Sequence, residues 1–166
     1  MKPLFVVNAS MNKTLQFFDY EQCFWHYADL IAHIRQAKIQ GEVIVAKPVF
    51  LLTIIDAVDG DIVSDNNFQL NDWIEERYNN LMKQYTRASH FDVPTGIDKP
   101  FWHLESDGFW HLAYPGNLRP KVATPSKHWL KENVRYASLD EELWILLQNK
   151  TWRTKLRDFI VEQKLL

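Results

Sequence analysis

A single cysteine, Cys23, excludes an internal disulfide and any cysteine-rich zinc site. It stands beside Phe24 and Trp25 in an apolar stretch, where a thiol is expected to serve as a small buried hydrophobe rather than a nucleophile. Long hydrophobic runs are also missing. The longest, residues 48–58, is interrupted by Thr53 and Asp56 and falls far short of the roughly 20 residues a membrane span needs. The apolar run at residues 4–7 is too short for a secretion signal, so the expected compartment is the cytoplasm, with no membrane partner. There is no excess of charge of one sign: 19 Lys and Arg face 21 Asp and Glu, a formal net charge of −2. A nucleic-acid-binding face therefore has to be a local patch. A Walker loop, a dinucleotide glycine turn, an HExxH helix and a nucleophile elbow are all absent, and nothing points to a cofactor.

What the chain does have is apolar and aromatic content, 46% and 14% of 166 residues with seven Trp, which excludes disorder and fits one domain with a real core. Phe24, Tyr27, Ile31 and Ile34 recur at helical spacing, predicting a first helix over residues 20–38, with Asp19 and Gln22 as a capping box and Gly41 closing the segment. A second helix is expected from Pro48 to Val58, apolar on every side and hence central. Short extended pieces are expected at Ile62-Val63 and at residues 68–70. Asn71 is placed to cap a third helix over residues 72–85, with Trp73, Ile74, Tyr78, Leu81, Met82 and Tyr85 inward. Residues 86–99 read as a long loop, a common place for function. Ser138 and Glu141 suggest a capping box for a helix to about Gln148, followed by a last helix over residues 152–164. The expected fold class is α+β, mostly helical, with about five helices around a buried central helix and one β-hairpin.

That hairpin pairs residues 101–105 with 109–113 across Ser106-Asp107-Gly108. Its register sets Leu104 facing Trp110 and Trp102 facing Leu112 on an apolar face, and His103 opposite His111 on the other. Two histidines with Glu105 nearby form a candidate metal site for a nuclease or other hydrolase; the alternative is a pair of half-exposed histidines on a sheet's outer face. Asp158, Glu162 and Lys164 loosely match an acid-and-lysine nuclease motif, but they fall on a predicted helix and read as a solvated face. Residues 114–136 are the most basic stretch, with Arg119, Lys121, Lys127, Lys131 and Arg135 against Glu132 alone. Interleaved with Tyr114, Trp129 and Tyr136, they offer phosphate contacts beside apolar surface, and Arg87, His90 and Lys99 of the long loop extend the patch. An ordinary solvated basic surface is the alternative, and a protein-interaction module built on exposed aromatics is a further reading.

Three segments in order carry a family resemblance: Lys47-Pro48-Val49-Phe50-Leu51-Leu52, Pro100-Phe101-Trp102-His103-Leu104 running into Ser106-Asp107-Gly108-Phe109-Trp110, and Ser138-Leu139-Asp140-Glu141-Glu142-Leu143-Trp144. Together they resemble the N-terminal domain of bacterial HNH-type restriction endonucleases, which includes the sulfur-binding domains that recognise phosphorothioate-modified DNA. The resemblance implies a single DNA-recognition domain over residues 1–166, without the HNH module that cuts. It also implies double-stranded DNA as the partner, modified or not, and allows a homodimer. Sulfur in place of one phosphate oxygen keeps the charge but makes that side softer and less hydrated. A reader should set apolar atoms against sulfur, for about 1–2 kcal/mol on area grounds, and cations against the remaining oxygens. In that family the pocket pairs an aromatic residue with a proline; here Lys99 precedes Pro100, followed by Phe101, and Tyr114-Pro115 is a second apolar pair. The implied DNA-binding residues are Lys47, Arg87, His90, Lys99, Pro100, Phe101, His103, Tyr114, Pro115, Arg119, Lys121, Lys127 and Lys131.

Overall fold

The structure is a computed structural model that describes residues 17, 19–86, 95–122 and 124–166. Helix α1 spans Tyr20–Ala32, and its N-cap Asp19 accepts from the Gln22 backbone N–H at 2.8 Å. It ends earlier than the periodicity predicts, because residues 38–43 turn back as a small hairpin. Strands β1 (Lys38–Ile39) and β2 (Glu42–Val43) pair antiparallel around Gln40 and Gly41, both at positive φ. Two consecutive positive φ values suit the twist of a tight hairpin, and glycine takes one of them without steric cost.

Helix α2, Ala46–Asp59, is the central element. Its residues Val49, Phe50, Leu52, Thr53 and Ala57 are fully enclosed, as its all-round apolar pattern requires. Thr53 meets this environment by donating its hydroxyl to the Val49 carbonyl one turn back, at 2.9 Å. Helix α3, Asp72–Tyr85, starts where Asn71 accepts from the Ile74 N–H and buries Ile74, Tyr78, Leu81 and Met82. Asp56 of α2 takes Arg77 of α3 (Nη2 at 2.7 Å) and Arg157 (Nε at 2.7 Å), so one carboxylate ties α2 to two neighbours.

The expected hairpin at residues 101–113 does not form. Residues 98–103 instead make helix α4, Asp98–His103, continued by a 3₁₀ turn, Leu104–Asp107, and ended by Gly108 at φ 98°. Ile97, Phe101 and Leu104, spaced by four and three residues, are all buried, which is a helical rather than an alternating period. Pro100 sits in the first turn, where a missing N–H costs little. Strand β3, Trp110–Ala113, pairs with β4, Tyr136–Leu139, in the register Trp110↔Leu139 and Ala113↔Tyr136. The side chain of Asn66 brackets Leu139 with two 2.8 Å hydrogen bonds, and Phe68 adds one bridge to Ala137. Residues 62–63 form no strand among the described pairings.

Ser138 therefore belongs to a strand and caps nothing. Helix α5 is Lys127–Asn133, α6 is Glu141–Gln148 and α7 is Lys150–Ile160, continued by a π turn, Val161–Leu165. Asp140 precedes α6 without a side-chain cap and binds instead the Tyr27 hydroxyl at 2.9 Å and His111 Nε2 at 2.5 Å. The core closes around Trp110, whose ring meets Phe50, Phe68 and Phe101 at 5.3–5.7 Å between centroids. Its indole N–H donates to the Phe101 carbonyl, which leaves no polar atom of the side chain unpaired. The architecture is α+β and mostly helical, with the central helix where the sequence places it. No described helix is long and apolar enough to cross a membrane.

Candidate nucleic-acid interface

Two clefts flank α4. The first, about 570 Å³, lies between the β1–β2 hairpin, the start of α2 and one side of α4. Ile39 and Ile44 of the hairpin region, Ala46, and Pro100 give it apolar walls. Arg35, Lys47, Lys99 and His103 bring cationic or titratable groups to the same space. Lys99 and His103 share it because four residues in a helix return a side chain to the same face.

Asp107 organises this cleft. Its side chain is 5% exposed; its Oδ2 holds Lys47 Nζ at 2.7 Å, and its Oδ1 accepts from the Arg35 backbone N–H at 3.0 Å. The Lys47 charge is thereby committed, which leaves its alkyl stem beside the apolar wall. Lys99 is freer, its side chain 44% exposed, with Asp98 at 3.6 Å. Burial, with help from Lys47 and Lys99, holds the His103 imidazole below its ordinary value. The free cleft thus presents positive groups and an imidazole biased to the neutral form.

The second cleft, about 530 Å³, is lined by Trp102, Arg119, Pro120, Lys121 and Val122. The Arg119 guanidinium lies 5.1 Å from the Trp102 ring centroid and pairs with Glu105, while Trp129 meets Trp102 edge-on at 6.0 Å. The other Glu105 oxygen accepts from the Leu112 N–H at 2.9 Å, so the carboxylate fixes Arg119 to strand β3.

The implied DNA-binding residues divide accordingly. Lys47, Lys99, Pro100 and His103 converge on the first cleft, and Arg119 and Lys121 on the second. Phe101 is corrected to a core residue: it is 3% exposed and packs on Phe50 and Trp110. Tyr114 is likewise buried, at 5% exposure, while Pro115 is exposed on a short 3₁₀ turn. Lys127 and Lys131 both reach Glu75, at 3.3 and 3.2 Å, so part of the basic stretch is neutralised within the fold. Arg87 and His90 lie outside the described residues.

The metal reading fails on geometry. His103 is on a helix and His111 on a strand paired to Ser138, so they are not cross-strand neighbours. Glu105 serves Arg119 and His111 serves Asp140. Among the described residues no group of three or more His, Cys, Asp or Glu is placed to hold a metal ion. Sequence reasoning missed Arg35, Ile39, Ile44, Asp107 and, as a cleft residue, Trp102. Gly41, read as the close of the first helical segment, is the turn glycine of the hairpin that supplies part of the wall.

The family model described as ScoMcrA-like, DNA sulfur-binding domain, matches residues 27–165. Among solved structures, the chain is similar to the sulfur-binding domain of ScoMcrA complexed with phosphorothioated DNA, at TM-score 0.63 and 18% identity over 83% of this chain and 86% of that one. The sulfur-binding domain of SprMcrA complexed with phosphorothioated DNA gives TM-score 0.60 and 16% identity, covering 86% of each chain. The Type IV phosphorothioation-dependent restriction endonuclease ScoMcrA gives 0.61 and 17%, with 83% of this chain matching 29% of that one. At these identities the structural likeness is one of fold. No curated protein matches the sequence.

Proposed function

Because this chain belongs to the ScoMcrA-like family of DNA sulfur-binding domains, we propose that it binds double-stranded DNA carrying a phosphorothioate and seats the modified linkage in the first cleft. The observation that carries this reading is the meeting of Pro100, Ile39, Ile44 and Ala46 with Lys47, Lys99 and Arg35 in one space. Sulfur is weakly hydrated and gains from apolar contact, while the phosphate charge remains and needs a cation. With the Lys47 ammonium held by Asp107, Arg35 and Lys99 are the cations placed to approach a phosphate oxygen. Residues 1–166 are read as one recognition domain without a catalytic module, working on DNA in the cytoplasm as part of a restriction system.

The test is binding to one short duplex with and without a single phosphorothioate, at two salt concentrations. The modified duplex is expected to bind tighter. Lys99→Ala should weaken both duplexes, and Pro100→Ala should reduce the preference for sulfur. Equal binding of the two duplexes by the unaltered chain would refute the sulfur reading and leave an unselective DNA-binding domain.

A further inference from the structure

The second cleft takes Trp102 of α4, a residue that the cleft assigned to the modified linkage does not use. Resting on the DNA-binding reading above, we propose that Trp102, Arg119 and Lys121 form a second subsite that grips an unmodified nucleotide of the same duplex and is blind to sulfur. Three observations carry this. First, the cleft combines an indole wall, Pro120 and Val122 with two cations, a composition suited to a sugar–phosphate rather than to a wholly apolar ligand. Second, Arg119 is held in place before any ligand arrives, by Glu105 and by the Trp102 ring, yet its side chain is 55% exposed. A pre-set guanidinium loses little rotamer freedom when it donates to a phosphate. Third, Lys121 forms no ion pair among the described residues, whereas Lys127 and Lys131 of the same basic stretch are spent on Glu75.

The division of labour follows from the side chains. The first cleft has the apolar floor that can tell sulfur from oxygen. The second sets the exposed Arg119 guanidinium and Lys121 beside an aromatic wall, a set that contacts any phosphodiester alike. Selectivity belongs to one cleft and sequence-independent affinity to the other.

The experiment measures Kd of the full chain and of two variants, Lys121→Ala and Arg119→Lys, on modified and unmodified duplexes over a series of salt concentrations. Lys121→Ala should weaken both duplexes by the same factor and lower the slope of log K against log salt by about 0.9, the value of one lost phosphate contact. The ratio between the duplexes should stay unchanged. Arg119→Lys keeps the charge but loses the stacked fork, so it should weaken both duplexes while retaining the slope. An unchanged slope in Lys121→Ala, or weakening confined to the phosphorothioate duplex, overturns the proposal. If the unaltered chain shows no sulfur preference but Lys121→Ala still lowers the slope, the sulfur reading fails and the subsite stands. Absence of all DNA binding by the unaltered chain overturns both.

Discussion

Replacing Asp107 by Asn isolates the contribution of one carboxylate to both stability and cleft shape. The substitution preserves an oxygen for the Arg35 N–H but removes the charge opposite Lys47, and the two side chains are only 5% and 12% exposed. Removing one partner of a buried ion pair leaves the other charge desolvated and costs about 3–5 kcal/mol. Lys47 keeps a narrow route to water, so the lower end, about 3 kcal/mol, is expected. In a domain of this size, where about 1 kcal/mol moves Tm by roughly 2–4 °C, the fall in Tm should be about 6–12 °C. Thermal and urea unfolding measure it. A companion variant, Lys47→Met with Asp107→Asn, keeps the oxygen for the Arg35 N–H, removes both charges and should recover most of the loss, because no lone buried charge remains. A cost below about 1 kcal/mol for Asp107→Asn, or a double variant less stable than the single one, would refute the reasoning.

Two further outcomes test other parts of the fold. Burial pushes the Asp140 carboxyl up, but hydrogen bonds from His111 and Tyr27 outweigh it and hold the group below its ordinary 3.8. Its stabilisation is therefore present above that value and lost as pH falls through the lower folded value, so Asp140→Asn should be less stable than the unaltered chain at neutral pH and the gap should narrow under acid. Urea unfolding at several pH values shows this, and a gap that widens toward low pH would contradict it. Burial, with the Glu142 charge, pushes the Cys23 thiol up to about 12, so thiol reagents at neutral pH should label it only when the protein opens. Rapid labelling of the folded chain under native conditions would place the thiol elsewhere.

Elements whose signal is local were legible in the sequence. Asn71 and the stripe Ile74, Tyr78, Leu81, Met82 define α3 at both ends, and the run from Val49 to Val58 marks the buried α2. Residues 97–113 misled because two patterns coexist there. Trp102, Leu104, Trp110 and Leu112 alternate as strands would, while Ile97, Phe101 and Leu104 keep a helical period, and Gly108 suits a hairpin turn and a left-handed helix end equally. Pairing settles the matter: β3 finds its partner in β4, beyond α5, so 101–105 is released to form a helix. The same limit applies to the first cleft. Lys99 and Pro100 were singled out from local chemistry, but Asp107 reaches Lys47 across 60 positions and the Arg35 backbone across 72. No local pattern encodes such contacts.

Helix α4 is six residues long and serves both clefts at once, with Lys99 and His103 in one and Trp102 in the other. Each residue advances a helix by about 100°, so a one-residue insertion or deletion inside α4 would turn every later side chain away from the wall it now lines. One cleft can be retuned against the other only by exchanging side chains in place within this short helix.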